Sequence, residues 1–224
     1  MLFGALGDVH GDFDSVRLIM GRHQAIPFWL SVGDIADAEG RYEAFPAPLH
    51  FIKGNNEGFD ALAGGQLPAN LYYLPNGTLR TVGGVRIAGL GGTFAPSWFD
   101  TPASNLPHPR KGTSKATELA DKRRHFVREE VDACKAMDRV DVFMSHEAPR
   151  PYRVGRMDAG KTPVNEVLAS AKPRLHLFGH HHRFSEQDPQ GVRSVGLDLV
   201  SRSYLIVNSE TFAYDVMTTQ TQVR

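Results

Sequence analysis

The sequence is short of the features that would place it at a glance. It holds one cysteine, Cys134, so no internal disulfide can staple the fold, and stability must come from packing and from metal. That scarcity fits a reducing, intracellular compartment. No apolar run approaches the ~20 residues of a membrane span. The first six residues lack a basic stretch and lead straight into a candidate core strand, so a soluble, cytoplasmic protein with no membrane partner is expected. Net charge is absent too: Lys+Arg and Asp+Glu balance at 25 each, which excludes a bulk electrostatic nucleic-acid binder and an acidic solvating tail. With no internal repeat, no low-complexity tract and no linker, residues 1–224 read as a single domain.

What is present is a succession of short apolar runs at residues 2–6, 28–32, 49–52, 140–144 and 175–178. Their length and hydrophobicity suit strands buried on both faces. Helix candidates fall between them at residues 12–23, 57–62, 114–137 and 163–171, and the alternation predicts an α/β layered fold. Residues 71–74, 78–82 and 85–90 read as strands joined by Asn76-Gly77 and Gly83-Gly84 turns. The tail offers three more, at 192–197, 203–208 and 211–217, in the style of an antiparallel meander. Two sheets packed as a sandwich with outer helices accommodate all of these. A loop rich in Gly, Pro, Ser and Asn at residues 91–113 is long enough to suggest function or disorder.

The polar residues carry the chemistry. Each of the five buried-strand candidates is followed at once by potential metal ligands: Asp8 and His10, Asp34 and Asp37, Asn55 to Glu57, His146 and Glu147, and His180 to His182. In open α/β sheets the carboxyl ends of strands share one edge, so side chains distant in sequence can meet there. A glycine before four of the clusters allows tight turns and close approach.

This succession resembles the calcineurin-like metallophosphoesterases, whose pattern runs Asp-x-His, Gly-Asp-x-x-Asp, Gly-Asn-His-Asp/Glu, a lone His and Gly-His-x-His. The resemblance spans Asp8 to His182. It implies a four-layer α/β/β/α sandwich, with two mixed β-sheets flanked by helices, and two divalent metal ions. One would be held by Asp8, His10, Asp34 and His182, the other by Asp34, Asn55, His146 and His180, with Asp34 bridging. Mixed imidazole and oxygen donors suit Mn, Fe or Zn, with Mg less favoured. The implied reaction is phosphate-ester hydrolysis by a metal-bridging hydroxide. Asp37 is expected to support or cap rather than ligate, and Glu57 and Glu147 to cap helices or orient ligands. Residues 70–74, 84–92 and 140–149 are similar, more narrowly, to the RNA lariat debranching branch.

Two positions depart from the pattern. Asn56 stands where many relatives carry a histidine that can protonate the leaving group. An amide cannot do acid chemistry, though it can hydrogen-bond a phosphate oxygen. His181 is the residue that could take over, against a reading in which it faces solvent or supports its neighbours. Asp8 stands where the debranching branch usually has cysteine. The basic residues between His108 and Arg128 read either as a solvated helix face or as a lip for a polyanion, and Trp98 and Phe99 either pin their loop or stack on a base. His23, His50, His108, His125 and His176 are assigned to packing or surface. The expected substrate is a phosphate ester, preferably a phosphodiester or nucleotide type, nucleic acid included. A protein or small-molecule phosphomonoesterase, and a catalytically inactive binding module on the same fold, are the alternatives.

Overall fold

Alternating apolar residues build the centre of the computed structural model, which describes residues 1–109 and 121–219. Its main strands are β1 (Leu2–Leu6), β2 (Trp29–Ser31), β3 (Leu49–Phe51), β4 (Leu71–Tyr73), β5 (Leu79–Val82) and β6 (Val85–Leu90). They are followed by β7 (Val142–Ser145), β8 (Leu175–Phe178), β9 (Ser185–Gln187), β10 (Ser194–Gly196), β11 (Ser203–Asn208) and β12 (Tyr214–Thr218). One six-stranded sheet has the order β12-β11-β1-β2-β3-β4, parallel from β1 to β4 and antiparallel beyond. The other has the order β9-β10-β8-β7-β6-β5, parallel in its middle with antiparallel edges.

One residue parity of each strand faces the other sheet. Phe3, Ala5, Leu30 and Val32 meet Ile87, Val142, Met144, Leu177 and Val195 in a single buried cluster. The opposite parity faces helices. Leu6, Trp29, Leu49 and Phe51 pack under α1 (Phe13–Arg22) and α2 (Phe59–Gly64). Ala88, Leu90 and Phe143 pack under α3 (Arg128–Lys135) and α4 (Thr162–Ala171). This is the expected α/β/β/α order. In α1 the buried Phe13, Val16, Ile19 and Met20 recur at helical spacing, and Asp12 caps the start by accepting the Ser15 N–H at 3.2 Å. Each such side chain contributes about 1.5–3 kcal/mol by burial. Among the described residues no helix is long and apolar enough to cross a membrane.

Three expectations are corrected. The tail is not one meander: β10 joins the second sheet parallel to β8, while β11 and β12 complete the first. Val195 is the part of β10 that faces the inter-sheet core, and Ser194 turns to a buried histidine instead. Asn76-Gly77 does not close a hairpin but carries the chain from one sheet to the other. There the Asn76 side chain accepts the Gly91 N–H at 2.6 Å and donates to its carbonyl at 3.0 Å. Gly83-Gly84 does close the β5–β6 hairpin. Finally, the helix expected over 114–137 begins only at Arg128 among the described residues, and residues 110–120 lie outside them. Asp121 caps a single 3-10 turn, Lys122–Arg124, and His125–Phe126 then pairs with Thr93–Phe94. Val127 is extended, with its N–H held by the Glu130 carboxylate at 3.0 Å, which fixes the helix start.

His176 on β8 is fully buried, with Nε2 2.8 Å from Ser145 Oγ and Nδ1 2.9 Å from Ser194 Oγ. Burial pushes its pKa from 6.5 down to about 3, so the folded state holds it neutral. The unfolded chain therefore binds more protons between those values, and stability present above 6.5 is lost as the pH falls toward 3. We expect His176→Gln to flatten that acid slope by up to one proton, about 1.4 kcal/mol per pH unit. Urea denaturation at pH 7, 6 and 5 measures it, and superimposable slopes would assign the acid sensitivity to other groups.

Candidate metal centre

The five ligand clusters follow β1, β2, β3, β7 and β8, whose carboxyl ends lie together between the two sheets. Two glycines make room there. A Cβ on Gly54 would lie 1.9 Å from Asp34 Oδ1, and one on Gly179 would lie 2.3 Å from Asp8 Oδ1. The backbone is also bent into unfavourable space: His10 (φ 48), Asp34 (φ 51), His180 (φ 69) and His182 (φ 49) all adopt left-handed conformations. Each costs about 1–2 kcal/mol for a non-glycine residue. Strain of this kind persists only where the surroundings over-determine it.

Asp8, His10 and His182 offer three ligand atoms within 4.8 Å of one another, and Asp8, Asp34 and His146 offer a second such group. Asp34 Oδ2 stands 3.6 Å from both His10 Nε2 and His146 Nε2, so this carboxylate lies between the two imidazoles. His146 is buried and its Nδ1 donates to the Val32 carbonyl at 2.9 Å, which leaves Nε2 facing Asn55 Oδ1 at 3.0 Å. His10 Nε2 and His182 Nε2 lie 3.0 Å apart, and His182 Nε2 is also 3.0 Å from Asp8 Oδ2. Oxygen and imidazole ligand atoms therefore converge in one place. The donor set fits divalent cations. The His180 backbone N–H donates to both Asp8 oxygens, and its ring lies 4.9 Å from that of His146, outside both three-residue groups.

The electrostatics agree. Burial opposes charge on His146, but the carboxylates of Asp34 and Asp8 outweigh it and raise its pKa. The hydrogen bond to Asp8 raises that of His182. Burial likewise opposes ionisation of Asp34, yet His146 and the hydrogen bonds from Asn56 keep its carboxyl below the usual range. His180 and His181 are pushed down by burial, to about 3 and about 4, and so stand ready as neutral donors of a lone pair.

Around this centre sit the supporting residues. Asn56 donates from its backbone to Asp34 Oδ1 at 2.8 Å and from its amide to Oδ2 at 2.9 Å, so it positions the carboxylate rather than pointing away. Glu57 accepts the N–H groups of Ile35, Ala36 and Gly54 and the Tyr42 hydroxyl, tying two ligand loops together. Burial raises its pKa to about 7. Asp37 accepts from the Glu39 and Arg41 backbones and from the Arg41 guanidinium, closing its own loop. Glu147 accepts the Phe94 N–H. His181 turns its ring onto Tyr152, centroids 4.4 Å apart. Arg202 was not singled out by the sequence; it donates to the His182 carbonyl and to Asp198, and a lone arginine beyond the last motif gives no signal of that role.

A cavity of about 770 Å³ opens beside His10, Asn55 and Asn56, walled by Phe59, Asp60 and Arg123. Arg123 is paired with Asp121 and Asp60, so its charge is already compensated. Phe99 is buried against Phe94 and Phe126, and Trp98 lies under Lys122. Arg110, Lys111, Lys115 and Glu118 of the basic stretch lie outside the described residues.

The calcineurin-like phosphoesterase profile matches residues 1–184, and the chain belongs to that family. It is 27% identical to a lariat debranching enzyme of Schizosaccharomyces pombe over 200 residues, which make up 78% of this chain and 42% of that protein. It is 29% identical to the Drosophila melanogaster lariat debranching enzyme over 61% of this chain and 29% of that one. The chain thus spans less than half the length of these relatives. The crystal structure of a dimetal phosphatase from Danio rerio superimposes with a TM-score of 0.51 at 13% identity, covering 98% of this chain and 99% of that one, which shows a shared fold.

Removing the amide that orients Asp34 should loosen the centre without deleting a ligand. We expect Asn56→Ala to lower divalent-metal affinity by about 10–100-fold. Competitive titration with a chelating dye reads this directly, and an unchanged affinity would mean the backbone N–H alone positions the carboxylate.

Proposed function

We propose that residues 1–224 form a single-domain, dinuclear metal-dependent phosphoesterase acting on a phosphodiester or nucleotide-type ester. One observation carries the reading: Asp34 Oδ2 is equidistant, at 3.6 Å, from the His10 and His146 imidazoles, which belong to two ligand groups joined by Asp8. In this reading Asp8, His10, Asp34 and His182 hold one ion, and Asp34, Asn55, His146 and His180 hold the other. When bound, the ions supply Lewis acidity and an activated water, with Mn, Fe or Zn favoured by the histidine-rich donor set. The chain's own residues do the rest. Glu57 and Asn56 fix the Asp34 loop, and the neutral Asn55 and Asn56 amides add no negative charge against the incoming phosphate.

Proton supply sets the leaving-group preference. Asn56 spends its amide on Asp34 and could not protonate a leaving group in any case, and His181 faces Tyr152. Esters whose leaving groups depart without help are then the best substrates. The matched relatives named for lariat debranching support a nucleotide-type diester, and the 770 Å³ cavity beside Asn55 has room for such a group. Lone Cys134, on the buried face of α3, is compatible with a cytoplasmic setting.

The test is hydrolysis of bis-p-nitrophenyl phosphate beside p-nitrophenyl phosphate by metal-stripped protein to which Mn, Fe, Zn or Mg is returned. Metal-dependent turnover, faster on the diester and at least about a hundredfold lower in Asp34→Asn, is expected. A faster monoester would replace the diester preference with a phosphatase reading. Two bound metals without turnover would favour a binding module. Because no acid assists departure, kcat should also fall steeply as the leaving-group pKa rises through a series of aryl diesters. Asn56→His should flatten that dependence, worth about two to four decades at the poorest leaving group. An identical slope in both proteins would mean another group already delivers the proton.

A further inference from the structure

One wall of the 770 Å³ cavity beside the metal centre is held too firmly to be a passive surface. Its central residue is Arg123. Nε donates to Asp121 Oδ1 at 3.0 Å, while Nη2 donates to Asp121 Oδ2 and stands 2.9 Å from Asp60 Oδ1. The Arg123 carbonyl accepts the Lys53 ammonium at 2.9 Å. Lys53 is buried and directly precedes Gly54, so this wall is tied to the turn that carries Asn55 and Asn56. A long side chain fixed in this way loses its rotamer freedom before any ligand arrives, which lowers the cost of binding.

What the clamp leaves over defines the ligand. Arg123 Nη1 makes no hydrogen bond among the described residues and is not sealed from water, so a ligand can reach its N–H donors. Asp60 Oδ2 likewise takes no hydrogen bond among the described residues, on a side chain that is 66% exposed. An open donor and an open acceptor thus belong to the two members of one ion pair. Their charges offset each other, and Asp37, Glu39 and Asp121 line the same cavity, so an anion gains nothing here. Nη1 can only donate, which disfavours a cation. The group that fits is neutral and carries an acceptor beside a donor, as the edge of a nucleobase does. In guanine and uracil a carbonyl adjoins a ring N–H: the oxygen has two lone pairs for the Nη1 hydrogens, and the N–H can meet Asp60 Oδ2. Adenine has no carbonyl. Phe59 lines the same wall, its ring centroid 5.8 Å from the Arg123 guanidinium, and gives a base an aromatic surface. The volume lies within the roughly 300–1,000 Å³ of small-molecule sites, and His10 and Asn55 border the same cavity, within a nucleotide's reach of the metals.

We propose that Arg123 and Asp60 form the base-recognising edge of the substrate site and select guanine or uracil nucleotides over adenine ones. The inference rests on the phosphoesterase reading, and the experiment separates the two. Hydrolysis of bis-p-nitrophenyl phosphate by the metal-loaded full chain is inhibited with the 5′-monophosphates of guanosine, uridine and adenosine, with ribose 5-phosphate and with phosphocholine. The phosphate is common to all, so differences report what it carries. The guanosine and uridine compounds should bind about tenfold more tightly than the adenosine compound and ribose 5-phosphate. Arg123→Lys, which keeps a cation beside Asp121, and Asp60→Asn should each bring those constants to within about twofold of one another. A merely structural pair would weaken every inhibitor alike and preserve the ratios, which would overturn the proposal. Equal constants in the wild type, tightest binding of the adenosine compound, or tightest binding of phosphocholine also overturn it and leave the phosphoesterase standing. If the aryl ester is not hydrolysed at all, the phosphoesterase reading fails instead. Calorimetric titration with the same compounds then decides the edge: a guanosine and uridine preference lost in Arg123→Lys keeps it, and equal affinities overturn it.

Discussion

Two carboxylates, Asp8 and Asp34, are each 1% exposed, and a buried anion without a countercharge is among the most expensive things a fold can hold. Everything near them answers that cost. His182 and the His180 amide approach Asp8, while His10, His146 and both nitrogens of Asn56 approach Asp34. The raised pKa values of His146 and His182 show that these carboxylates draw protons onto their neighbours. A divalent ion entering such a site displaces protons from groups already aimed at it, so its affinity carries the pH dependence of those imidazoles.

The fold supplies the rigidity that this arrangement needs. Four site residues sit in left-handed backbone conformations, and the loops carrying them are locked by contacts that reach across sequence. Glu57 bonds to amides after β2 and after β3 at once, the Val32 carbonyl fixes the His146 ring from the other sheet, and Arg202 holds the His182 carbonyl. Since each sheet is pinned to the other through the inter-sheet cluster of Phe3, Val32, Met144 and Leu177, ligands from both sheets keep their spacing. The strain is local; the compensation is the whole sandwich.

Legibility in the sequence followed how local each cause is. Strands β1, β3 and β8 show as apolar runs, and the polar clusters behind them stand out because polarity at the end of a buried strand needs an explanation. Asp8, His10, Asp34, Asn55, His146 and His182 were therefore readable, and the structure draws their ligand atoms together. What could not be read is set by partners remote in the chain. Strand β9, Ser185–Gln187, has no apolar residue and exists because Gly196 accepts it at close range. The start of α3 depends on Asp121, Val127 and Glu130 together, where helix-forming composition alone suggested an earlier beginning. Asn56 looked like a substrate contact, and it is the neighbouring carboxylate that claims its amide.

The charge layout bears on how substrate would be chosen. The large cavity beside Asn55 carries Asp37, Glu39, Asp60 and Asp121 against Arg123, and Arg123 is itself held by two of those acids. Such a wall gives a phosphate no attraction of its own. Two divalent ions bring about four positive charges against the two carboxylates Asp8 and Asp34, and so reverse the sign of the centre. In the proposed dinuclear reading the metals would be both the source of reactivity and the main reason an anionic ester stays in place.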